Sequence, residues 1–202
     1  MTVYDELYAR HPALKPCADA IAAAHNALVA AYRAGGKVLA CGNGGSAADA
    51  EHIVGELMKK FRRRRAVPAA VAAKLPPDLV QRLEGGLPAV SLVSMTSLLT
   101  AFANDVAWET AFAQQVLALA RPGDVLMTLS TSGNSANCVH AAEVMRAVGG
   151  KVVAFTGARP SALSRLADAT IAVPETETYR VQELHLPVYH ALCAGVEAEL
   201  FA

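Results

Sequence analysis

The chain has 202 residues, 53% of them hydrophobic, enough to bury a full core and near the size at which one compact domain is the default. Basic and acidic residues number 18 each, so no global field draws the chain to nucleic acid or to an anionic membrane, and any anion must be held locally. Cys17, Cys41, Cys138 and Cys193 are widely spaced without a C-x-x-C pair, which argues against a zinc ribbon or a disulfide framework and fits a reducing cytoplasm.

The opening "MTVYDELYARHPALK" lacks a basic segment followed by an apolar one, and no long uncharged apolar run occurs, so a soluble chain without a targeting segment is expected. Residues 2–34 read as helices interrupted near Pro12 and Pro16. The stretch "CADAIAAAHNALVAAYRAGG" is apolar enough to need cover on more than one side, either from its own sheet or from another subunit.

Five short apolar runs follow: "KVLAC" (37–41), "PAVSLV" (88–93), "DVLMTLS" (124–130), "KVVAF" (151–155) and "TIAVP" (170–174). Their apolarity is continuous rather than alternating, the mark of strands buried on both faces. A three-layer, doubly wound α/β sandwich with a five-stranded parallel sheet is predicted, with the N-terminal helices added to it. The Pro- and Gly-rich stretch 66–87 reads as a surface insertion with a short helix over 77–83.

After the first strand, Gly42-Asn43-Gly44-Gly45-Ser46-Ala47 opens a helix. By letter this satisfies the dinucleotide pattern G-x-G-x-x-G/A. That pattern also needs a second strand soon after the helix, and here the chain runs into Arg62–Arg65 and the insertion instead. No nucleotide cofactor is expected. The glycines let backbone approach a ligand, while Ser46 is placed to cap the helix. The four arginines read as a solvated helix end.

The helix after this turn carries His52 and Glu56 one turn apart, beside an apolar stripe of Ile53, Leu57 and Phe61. After the third strand, Ser130-Thr131-Ser132-Gly133-Asn134-Ser135 again opens a helix. Hydroxyls, backbone N–H groups and the helix dipole make such a turn a phosphate cradle without Lys or Arg. Over 180–201, Leu184, Val188, Leu192, Val196 and Leu200 recur at four-residue steps. Pro187 is tolerable there if the helix begins near Gln182 or Glu183; otherwise a kink is expected. At about 100° per residue, Gln182 and His190 can converge on one ligand, whereas His185 diverges and reads as a surface or supporting histidine. Two histidines, a carboxylate and an amide oxygen can hold zinc. Without metal, Glu56 and His190 remain a base and acid pair for moving protons between adjacent sugar carbons.

"CGNGGSAADAEHIVGEL", "AFANDVAWE", "STSGNSAN" and "QELHLPVYHALC", in this order, resemble the sugar isomerase (SIS) domain proteins, in particular the phosphoheptose isomerases. The resemblance implies conversion of sedoheptulose 7-phosphate to D-glycero-D-manno-heptose 7-phosphate in a homotetramer whose active sites lie at subunit contacts. It makes Ser130, Thr131, Ser132 and Ser135 the phosphate cradle and Asn43, Gly44, Gly45, Ser46, Asn104 and Asp105 further substrate contacts, with Glu56 and Gln182 also touching substrate. Glu56 matches the general base, His190 the general acid, and His52, Glu56, Gln182 and His190 the zinc ligands of some members. Tyr179 stands where the family often has an acidic residue; Glu177 is close enough to substitute through a shifted turn. This departure and the insertion bear on the sugar's identity, leaving another ketose phosphate open. A protein-binding SIS regulator of the DnaA initiator-associating type resembles the chain over the same length but lacks the counterpart of His190.

Overall fold

The computed structural model describes residues 1–201. The chain opens with α1 (Val3–Arg10), where Thr2 and Asp5 form a reciprocal cap, and a 3-10 turn over Pro12–Cys17 leads into α2 (Ala18–Arg33). The alternating part then runs β1 (Val38–Gly42), α3 (Gly45–Met58), α4 (Ala69–Ala72), α5 (Pro77–Arg82), β2 (Ala89–Ser91) and α6 (Thr96–Asp105). A second 3-10 turn, Trp108–Thr110, precedes α7 (Ala111–Leu119), β3 (Val125–Leu129), α8 (Ala136–Val148), β4 (Lys151–Thr156), α9 (Ala162–Leu166), β5 (Ala169–Ala172) and α10 (Thr178–Leu200).

All five strands are parallel, in the order β2-β1-β3-β4-β5. Alternate strand residues serve opposite layers. Val38, Ala40, Met127, Val153 and Phe155 face α2, α3 and α10, whereas Leu39, Cys41, Leu126, Val152 and Ala154 face α6, α7, α8 and α9. Both faces are dry, which is why the strands read as unbroken apolar runs. From β1 the chain crosses to β2 on one side, and from β3 to β4 on the other, so the topological switch point lies between β1 and β3. Their register pairs Gly42 with Leu129, which brings the two following loops abreast.

Five local expectations change. The N-cap of α3 is Gly44, at φ 57°, so Ser46 lies inside the first turn and does not cap it. α3 stops at Met58, so Phe61 extends the apolar stripe from beyond the helix. Arg65 is not solvated: its side chain is fully buried in an ion pair with Glu197 of α10. His185 is likewise buried rather than on the surface. α10 begins at Thr178, so Pro187 lies in the helix interior and has no N–H for the carbonyl of Glu183. Glu183 faces solvent, where water can take that place.

Candidate active site

The carboxyl ends of β1 and β3 supply the two loops that the switch point calls for. In the first, Ser46 N–H bonds to the carbonyl of Asn43, making a tight turn into α3. Gly45 approaches α10 so closely that a Cβ there would lie 2.8 Å from Nε2 of Gln182. Gln182 is thereby set against the glycine turn, with its Nε2 3.5 Å from Ser46 Oγ. In the second loop, Ser130 and Ser135 hydroxyls pair at 2.9 Å, and Ser132 Oγ accepts from Asn134 N–H at 3.2 Å. The N–H groups of Thr131, Ser132 and Ser135 have no partner among the described residues, as an anion cradle requires. Thr131, Ser132 and Asn134 line a cavity of about 310 Å³ that continues to Arg159 and Thr178.

The loops are tied together. Asn43 and Asn137 exchange side-chain amide hydrogen bonds of 2.9 and 2.8 Å, joining the glycine turn to the first turn of α8. That exchange engages the amide end of Asn43 in a strut between the loops. Asn137 was not singled out from the sequence, and nothing local marks it.

Between α3 and α10 lies the polar cluster. His52 Nε2 stands 3.3 Å from Glu56 Oε1 and 3.5 Å from His190 Nε2. The i,i+4 spacing delivers the first contact, and the crossing of α3 with α10 delivers the second. Lys59 holds the other Glu56 oxygen at 2.7 Å, so that carboxylate is positioned from both sides. Phe61 stacks against His190 at 5.4 Å between ring centres. Desolvation, reinforced by neighbouring His52, lowers the His190 pKa despite the opposing pull of Glu56. His190 therefore favours the neutral imidazole, which hydrogen-bonds an oxygen through N–H without carrying a full charge.

Asp49 and Tyr189 complete the cluster. The Tyr189 hydroxyl donates to Asp49 Oδ1 at 3.0 Å and lies 3.1 Å from His52 Nδ1. Both were missed in the sequence, although Asp49 precedes His52 by three residues on the same helix face and Tyr189 adjoins His190.

Two of the expected residues are not brought to the cluster. Asn104 and Asp105 sit exposed at the end of α6, hydrogen-bonded to each other at 2.7 Å, and neither bonds to the cluster or to the loops. Glu177 occupies the N-cap position of α10 without a side-chain cap hydrogen bond and pairs with Arg180 at 3.4 Å; Tyr179 is exposed beside it.

The donor chemistry suits zinc. Tetrahedral zinc with bonds of about 2.0–2.1 Å sets its ligand atoms about 3.3 Å apart, close to the two separations at His52 Nε2. Among the described residues no three His, Cys, Asp or Glu side chains already converge as a cage, and Lys59 competes for Glu56.

A doubly wound sheet with two anion-suited loops at its switch point, and a histidine and glutamate cluster on the helices α3 and α10 beside the first of them, is the arrangement of a sugar-phosphate isomerase. Comparison with known proteins agrees. SIS domain family models match residues 10–84 and 91–194. The phosphoheptose isomerase of Rhodospirillum rubrum is 43% identical over 93% of this chain and 89% of its own. A phosphoheptose isomerase structure from Francisella tularensis superposes with a TM-score of 0.79 at 30% identity, covering 98% of this chain and 100% of that one. The one from Neisseria gonorrhoeae gives 0.78 at 33% identity, covering 96% and 94%. The chain belongs to the SIS domain family. Within it the chain falls among the phosphoheptose isomerases, which are aldose–ketose isomerases.

Proposed function

We propose that this site interconverts sedoheptulose 7-phosphate and D-glycero-D-manno-heptose 7-phosphate through an enediol. The observation that supports the reading is that α3 and α10 carry both parts: the serine-rich loop is tied to the glycine turn that opens α3 beside Gln182, and Glu56 and His190 meet His52 further along the same two helices. The 7-phosphate is held by Ser130, Thr131, Ser132 and Ser135, with Asn43, Gly44, Gly45, Ser46 and Gln182 along the sugar. Glu56 takes the proton from the carbon next to the carbonyl and returns it to the neighbouring carbon. His190 donates to the oxygen on which negative charge develops, and the hydroxyl proton moves between the two oxygens. Lys59 keeps the Glu56 carboxylate turned toward His52 rather than into solvent. Zinc, if bound, would be held by His52, Glu56, Gln182 and His190 and would polarise the substrate's oxygens.

The whole chain acts as one domain on this reading, with residues 1–34 and 66–87 appended to the sheet. A homotetramer is the state in which Asn104 and Asp105, remote from the cluster of their own chain, reach a site. An apolar groove of about 490 Å³ between α1 and α10, lined by Val3, Leu7, Leu186 and Pro187 and reaching Phe61 and His190, offers contact surface beside that site. The cytoplasm suits four buried, unpaired cysteines, and no helix among the described residues is long and apolar enough to cross a membrane.

The test follows aldose formation from sedoheptulose 7-phosphate by the purified chain, with and without a chelator. Turnover is expected, and Glu56→Gln and His190→Ala should each lower kcat by about 10²–10⁴-fold with the circular dichroism unchanged. Undiminished turnover in either variant removes that residue from the mechanism. Turnover of only another ketose phosphate reassigns the substrate. No turnover of any sugar phosphate, together with a captured protein partner, replaces the enzyme with a regulator.

A further inference from the structure

Tyr189 is the largest side chain in the cluster that the reaction does not use. Its ring is fully buried and packs edge-on against both histidines, 5.5 Å from His52 and 4.9 Å from His190 between centres. Only its hydroxyl reaches polar groups, and it reaches two: Asp49 Oδ1 at 3.0 Å and His52 Nδ1 at 3.1 Å.

A phenol hydroxyl has one proton to give, and a carboxylate can only accept. The proton therefore goes to Asp49, leaving a hydroxyl lone pair toward His52. A lone pair on His52 Nδ1 would face it with repulsion, whereas Nδ1–H completes the chain Nδ1–H···Oη–H···Oδ1. A neutral imidazole protonated at Nδ1 has its other nitrogen bare. That nitrogen is Nε2, the atom lying against Glu56 and His190.

We propose that Tyr189, held by Asp49, is a positioning residue that locks His52 in its Nδ1-protonated tautomer and so presents the Nε2 lone pair to the reacting site. The bare Nε2 accepts a hydrogen bond from a substrate hydroxyl or ligates a cation, and cannot act as a donor. The Tyr189 contact also fixes the ring's orientation, since a flip would turn Cδ2–H toward the Tyr189 hydroxyl and leave it without its second partner. Metal sites commonly hold a histidine through its far nitrogen by a carboxylate or carbonyl. Here a tyrosine is interposed, so the carboxylate acts through a hydroxyl that is itself immobilised by burial.

The lock rests on the isomerase reading for its kinetic consequence alone; the tautomer can be read without turnover. In full-length protein labelled with 15N-histidine, His52 should show a protonated Nδ1 and an unprotonated Nε2, both with and without chelator. Tyr189→Phe keeps the ring and removes the hydroxyl. The Nδ1–H form should then give way to Nε2–H or to a mixture. kcat on sedoheptulose 7-phosphate should fall about 10–100-fold with KM little changed, and affinity for added zinc, measured by competition with a chelating dye, should fall by a similar factor. Should Tyr189→Phe fail to fold, Asp49→Asn is expected to lower the Nδ1–H population in the same spectrum. A wild-type spectrum with Nε2 protonated, or an Nδ1–H signal unchanged in the folded variants, overturns the proposal. If the tautomer shifts as expected but neither protein turns over the sugar phosphate, the lock stands and the isomerase reading falls.

Discussion

His185 shares a helix with Gln182 and His190 but points away from them, into the sheet. Its Nε2–H donates to the carbonyl of Thr156 at 3.2 Å, pinning α10 to the end of β4, and its Nδ1 has no partner. Desolvation pushes its pKa down to about 4, only partly opposed by the Thr156 carbonyl. The sign of the consequence is fixed by linkage. Unfolded histidine takes up its proton near pH 6.5, before the folded one does, so this residue's stability contribution falls as pH drops from about 6.5 to 4. His185→Gln can keep the hydrogen bond to Thr156 without titrating. Its Tm should therefore depend less on pH across that window than the wild type's; parallel curves would show that His185 is not the group responsible. At the same scale, His52 depends on a neighbour no spacing rule names, Tyr189 behind it, whereas Glu56 is held by Lys59 three residues on.

The carboxyl end of α3 shows how an element is held rather than formed. Past Met58 the chain turns without a glycine cap, and the last carbonyls of the helix need donors. Arg65 supplies them, bonding to the carbonyls of Leu57 and Glu56 while its Nε pairs with Glu197 at 2.8 Å. Glu197 also accepts from the N–H groups of Phe61, Arg62 and Arg63, at 2.8, 2.7 and 2.9 Å. One carboxylate of α10 thus fastens the segment that carries Phe61 to His190 and ends the helix that carries Glu56. Burial alone would raise the Glu197 pKa, but the N–H donors and Arg65 outweigh it and hold the group below its ordinary range. Its contribution is then present above about pH 4.3 and lost as pH falls through the lower folded value. Arg65→Ala, which strands a buried carboxylate, should cost about 3–5 kcal/mol in urea unfolding at pH 7. Glu197→Gln should lower Tm at pH 7, with the deficit shrinking below pH 4. A cost under about 1 kcal/mol for Arg65→Ala would place the pair among surface ion pairs in its effect.

At the scale of the molecule, the packing of α3 against α10 brings His52, Glu56 and His190 together, while Asn104 and Asp105 bond only to each other on α6. Val106, Trp108 and Leu117, next to that pair and along α7, are large apolar residues exposed at 65, 44 and 62%, a patch that another subunit would cover. If the sites are shared, two inactive chains can repair each other. Asp105→Ala and Glu56→Gln chains, each impaired alone, should regain part of the activity when unfolded and refolded together, and light scattering should report a tetramer. Activity no greater than the sum of the separate variants would assign Asp105 no part in a neighbour's site.

The elements, and the candidate residues for a site, are legible in the sequence. Five buried strands are written in apolar runs because both faces of a parallel sheet are dry, and both polar loops are legible because glycine and serine clusters at strand ends have few other uses. His52 with Glu56 follows from helical periodicity, whereas Gln182 lies against the glycine turn and His190 against His52. Tertiary structure decided what periodicity cannot carry. Arg65 looks like one of four solvated arginines until the carboxylate of a residue 132 positions away is found against it. Tyr189 looks like core until its hydroxyl is seen between Asp49 and His52, 140 and 137 positions away. Local spacing fixes which side chains share a face; whether a polar group is buried, and with what partner, depends on which faces meet, and those meetings are set by the packing of α3 against α10 across the sheet.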